Sequence, residues 1–116
     1  MAVADNVFET FTTSGTGTLT LAGAYSSAYQ TFAAGLAANT ELTPASPLAW
    51  SGVYYMAYSL DGNGDVEARE VGDGTLTAPS TFTRDNIAFS TNGGSAVSWA
   101  SGTKYILCSL NAEALA

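Results

Sequence analysis

Histidine is absent, and cysteine occurs once, at Cys108. A single cysteine excludes an intrachain disulfide. A catalytic thiolate needs a neighbouring base or cation, and the apolar run Tyr105-Ile106-Leu107-Cys108 supplies none, so Cys108 reads as a small buried hydrophobe. Basic residues are equally scarce. Arg69, Arg84 and Lys104 are all there are, scattered against ten Asp and Glu for a net charge of −7. Nucleic-acid binding needs a basic stripe, which this composition excludes. Long apolar runs are missing too, so no stretch approaches a membrane-spanning helix. The opening Met1-Ala2-Val3-Ala4-Asp5-Asn6 has neither a basic nor an apolar leader region, and the expectation is a chain made in the cytoplasm without a signal peptide.

Thr and Ser take the place of charge. Charged residues make up only 11% while hydrophobic ones make up 47%, so the surface is polar but weakly charged. Low charge density removes repulsion between copies and favours a homo-oligomer, with a trimer as the expected count. One domain spanning 1–116 is expected, with arms at 1–6 and 111–116 that order against a partner.

Short β-branched and aromatic runs separated by glycine turns predict an all-β domain, a small antiparallel β-sandwich or β-barrel with at most one short helix. Strands are expected at Val7–Thr13, Thr18–Ala22, Tyr29–Phe32, Val53–Leu60, Val66–Val71 and Gly74–Thr77. Further strands are expected at Thr81–Arg84, Asn86–Ser90, Val97–Trp99 and Lys104–Cys108. Phe32–Ala38 is the one helical candidate, limited by Gly35, and Thr43-Pro44-Ala45-Ser46-Pro47 reads as an extended loop. Three glycine turns are expected within Glu70–Thr77, Ser90–Ser95 and Ser101–Lys104.

The order of these segments resembles a small virion domain of tailed bacteriophages, found as stand-alone head or tail proteins and at the start of tail or head fibres. The resemblance rests on Thr16-Gly17-Thr18-Leu19-Thr20-Leu21-Ala22-Gly23-Ala24, the aromatic Phe32, Glu70-Val71-Gly72-Asp73-Gly74-Thr75 and Phe82-Thr83-Arg84-Asp85. Asn92-Gly93-Gly94 and Ser101-Gly102-Thr103-Lys104 complete it. The insert from Ala33 to Ala49 departs from the pattern. The resemblance implies a multi-copy structural component of the virion. A stand-alone chain of this size looks most like a head decoration or cement protein, with the major capsid protein or other virion proteins as partners. The alternative is a tail-fibre or tail-adaptor subunit with receptor or carbohydrate binding. No catalytic residues and no cofactor come with the resemblance.

Sharper readings compete with plain ones. Asp61-Gly62-Asn63-Gly64-Asp65 places oxygen-bearing side chains at alternate positions, a weak cation candidate. An EF-hand needs glycine sixth and a late glutamate, where Val66 and Gly72 stand instead, so a hairpin turn is the favoured reading. Gly15-Thr16-Gly17 and Gly72-Asp73-Gly74 lack the lysine and helix of a phosphate loop. Carboxylate pairs for glycoside hydrolysis are Asp73 with Asp85 and Glu67 with Glu70, and the expectation is a non-enzyme. Trp50, Tyr54, Tyr55, Tyr58, Trp99 and Tyr105 serve either as core and interface or as a sugar-stacking surface. The expected contact surface is Trp50, Tyr54, Tyr55 and Tyr58, together with Val3 and Leu115 in the terminal arms.

Overall fold

The structure is a computed structural model that describes residues 2–39, 42 and 48–109. Six strands close into an antiparallel barrel: β1 (Phe8–Phe11), β2 (Leu19–Ala24), β3 (Ala49–Leu60), β4 (Val66–Thr77), β5 (Thr81–Ser90) and β6 (Lys104–Cys108), in the order β1-β2-β5-β4-β3-β6. Of the two architectures expected, the barrel is the one formed. Period-2 alternation is the cause. Along β3, Trp50, Val53, Tyr55 and Ala57 point inward, while Tyr54, Met56 and Tyr58 point out. Phe11, Leu19, Leu76, Phe82 and Ile106 join the inward set from the other strands and fill the barrel.

One helix, α1 (Phe32–Ala38), lies between β2 and β3. Thr31 caps it, its hydroxyl accepting from the Ala34 N–H at 3.1 Å, so Tyr29–Phe32 is the approach to a helix and not a strand. Gly35 lets the helix seat closely, because a Cβ there would lie 2.6 Å from Val7 Cγ2. Phe32 then reaches the core, its ring 5.5 Å from that of Phe82.

The expected glycine turn at 72–74 is not a turn. Gly72 and Gly74 sit inside β4, where the register with β5 shifts just before each of them. A Cβ on Gly72 would lie 2.0 Å from the Asn86 carbonyl oxygen, and one on Gly74 would lie 2.0 Å from that of Thr83. These glycines let neighbouring backbones close in where the sheet bends, which is the other use of glycine in a strand. For the same reason Val66–Val71 and Gly74–Thr77 are one long strand, and Thr81–Arg84 and Asn86–Ser90 are another. Val97–Trp99 makes only an isolated bridge, from Trp99 to Gly15.

The N-terminal arm is also corrected for residues 2–6. Ala2 bridges Val53 in parallel, its N–H donating to the Gly52 carbonyl at 2.7 Å. Asn39 Nδ2 donates to the Val3 carbonyl and Gln30 Nε2 to that of Asp5. Backbone groups with this many fixed partners belong to the domain. The expected arm at 111–116 lies outside the described residues.

A buried polar knot ties the barrel to its loops. Glu70 and Arg84 form an ion pair at 2.9 Å, with side chains 0% and 2% exposed. Glu70 also accepts from the Tyr55 hydroxyl (2.6 Å) and the Val97 N–H (2.7 Å). Arg84 donates onward to the carbonyls of Val97 and Gly17. Lys104, likewise buried, donates to the Thr12 and Ala100 carbonyls over the Phe11 ring, and its burial lowers the ammonium pKa.

Candidate functional site

Burial divides the predicted contact residues. Trp50 and Tyr55 are core, 4% and 0% exposed, and offer nothing to a partner. Their positions in β3 put them on the inward phase of the strand. A strand apolar on both faces does not by itself reveal that phase. Tyr54 and Tyr58 are on the outward phase and remain half-exposed. Val3 is half-buried under Asn39, and Leu115 lies outside the described residues.

Around Tyr58 the structure assembles a face that the sequence reading did not collect. Tyr58 stacks on Tyr105 at 5.2 Å across the β3–β6 pairing. Phe8 stacks on Tyr25 at 4.8 Å and meets Tyr29 edge-on at 5.1 Å, while Tyr25 lies 5.9 Å from Tyr105. Burial pushes the Tyr58 phenol up, and the Tyr105, Tyr25 and Tyr29 phenols add to the shift. Tyr25 and Tyr29 stand well exposed in a turn-rich segment. Two large aromatics in such a segment were the available signal.

Beside these rings runs a groove of about 780 Å³ on the outside of the barrel, walled by Phe8, Met56, Tyr58, Leu60, Val66 and Leu107. Cross-strand register makes it continuous: Phe8 pairs with Leu107, Leu107 with Met56, and Met56 with Val71. Its one charged group is Arg69, whose guanidinium lies 5.3 Å from the exposed Phe89 ring. Cys108 also lines it, its sulfur accepting from the Ala4 N–H, and burial pushes the thiol up. A thiol held this way is disfavoured as a nucleophile.

The other candidates fall apart geometrically. The Asp61 carboxylate accepts from the Asn63 and Asp65 N–H groups at 2.9 and 3.0 Å, so it caps the hairpin turn. No cluster of three or more metal-ligating side chains occurs among the described residues. Asp73 is taken by Asn86 and Asp85 by Thr75. Glu70 is sealed in the Arg84 knot while Glu67 is exposed, so this pair does not share a cleft. Polar side chains near the rings are engaged as well, Asn6 with the Ala28 carbonyl and Gln30 with that of Asp5. A sugar would find phenols but few free amides. Comparison with protein-family models, with curated proteins and with solved structures finds no match for this chain.

Proposed function

We propose that the chain is a non-enzymatic structural protein of a tailed-bacteriophage virion, acting as a head decoration or cement protein present in many copies. The observation that carries this reading is the outer groove with its stacked tyrosines, on a barrel whose interior is filled by side chains. Tyrosine-rich, weakly charged surfaces suit protein contacts, since each ring brings large area at low entropy cost. The sequence resemblance adds the particle. The segments that carry it include Glu70, Gly72, Gly74, Arg84 and Lys104, which build the barrel.

A second reading, a tail-fibre or tail-adaptor subunit that binds a receptor glycan, is favoured by the linked rings of Tyr25, Tyr29, Tyr58 and Tyr105 on one face. Immunogold labelling of purified virions of the encoding phage separates the two. Label distributed over the head supports decoration. Label confined to the tail or one vertex overturns it in favour of the second reading.

A further inference from the structure

We infer that the groove is a self-association site, and that its occupant is the same face of a second copy, packed about a two-fold axis so that each β3–β4 hairpin tip, which forms one wall of its own groove, meets the partner copy's Arg69. This deepens the reading above and rests on it in taking the groove as a protein-docking surface.

Charge leads to the partner. The chain has three cations, and two of them, Arg84 and Lys104, are buried. Arg69 is therefore the single exposed basic side chain among the described residues of a chain of net charge −7, and it lines a mainly apolar groove. Among the described residues no carboxylate lies within ion-pair distance of it. Its complement is an apolar projection flanked by acids. The hairpin tip has that composition: Leu60 and Val66 are 40% and 56% exposed, beside Asp61, Asp65 and Glu67. Two acidic chains repel at long range, so a stable contact needs a place where acid meets base. This tip and this groove provide it.

Self-complementarity gives the symmetry. Of the six large hydrophobics that stand exposed, Tyr25, Tyr29, Leu60, Val66 and Phe89 belong to this side of the barrel, and only Leu48 does not. The apolar surface matching the groove is thus the same face of another copy. A face that matches itself closes as a two-fold pair, whereas a three-fold ring needs two different patches. The five exposed side chains of this face offer roughly 400 Å². Half-buried Met56, Tyr58, Tyr105 and Leu107 lie beside them, toward the roughly 800 Å² per partner of a specific interface.

Sedimentation equilibrium of the full-length chain tests this with two charge variants, Arg69→Glu and the double variant Asp65→Lys/Glu67→Lys. Each sets like charges against each other at both reciprocal contacts, and circular dichroism checks that the exposed substitutions leave the fold intact. The wild type is expected as a dimer in the micromolar range, with each variant weakened at least about tenfold. An equimolar mixture of the two variants is expected to restore the dimer, because each tip then meets a groove of opposite charge. A monomeric wild type, variants as dimeric as the wild type, or a mixture that stays monomeric would each overturn the inference. A monomeric wild type leaves the virion reading to the labelling experiment. Absence of the chain from virions overturns that reading, while a dimer in solution stands.

Discussion

Replacing Arg84 with methionine isolates what holds the barrel to its loops. Glu70 is fully buried, and among the described residues the guanidinium is its only charged partner. In Arg84→Met the carboxylate keeps two neutral donors, Tyr55 and Val97, while the Gly17 carbonyl loses the Arg84 Nη2 donor. Breaking one side of a buried pair costs about 3–5 kcal/mol, because the remaining charge stays desolvated. Against a total stability of about 5–15 kcal/mol this is a large share. At about 4–8 °C per kcal/mol it corresponds to a Tm lower by roughly 12–40 °C. The assay is urea unfolding of the wild type, Arg84→Met, Glu70→Gln and the double variant. Because the two groups act as one unit, the double variant should lose less than the sum of the singles, with a coupling of about 2–3 kcal/mol. If Arg84→Met falls within about 1 kcal/mol of the wild type, or the two losses simply add, the knot does not hold the fold as argued.

Glycine positions give a matched contrast. Gly74→Ala should destabilise by more than about 2 kcal/mol, since its Cβ would overlap the Thr83 carbonyl oxygen. Gly62→Ala, with nothing within 4 Å, should stay within about 1 kcal/mol of the wild type in the same unfolding assay. Glu9 supplies a pH dependence: burial raises its carboxyl above the ordinary 4.5, against the lowering effect of the Phe32 and Gly23 N–H groups. A raised acid destabilises the fold while ionised, so its contribution improves as pH falls from 7 toward 4.5 and levels off below. Relative to Glu9→Gln, the wild type should therefore gain stability over that window, and a constant difference would refute the assignment. Cys108, with its thiol pushed up by burial, should react with a thiol reagent at pH 8 more slowly than the same cysteine in the urea-unfolded chain.

The all-β class, the helix at Phe32–Ala38 and the Asp61–Asp65 hairpin were legible because each has a local cause: alternation, an alanine-rich run and a turn-forming tip. Gly72 and Gly74 were misread because glycine serves both turns and close backbone approach, and only the partner strand decides between them. Glu70 and Arg84 lie fourteen residues apart, and their contact depends on the β4–β5 register, which no single segment encodes. Trp50 and Tyr55 looked like interface residues because a strand apolar on both sides hides which phase faces inward. The groove was illegible for a related reason. Phe8, Met56, Arg69 and Leu107 come from four strands and meet only when the barrel closes.

The central claim is that many copies of this chain sit on a virion, and quantitative mass spectrometry of purified particles tests it most directly. The account predicts a ratio to the major capsid protein near one, or a simple lattice fraction of it. A handful of copies per particle, or none, would contradict it.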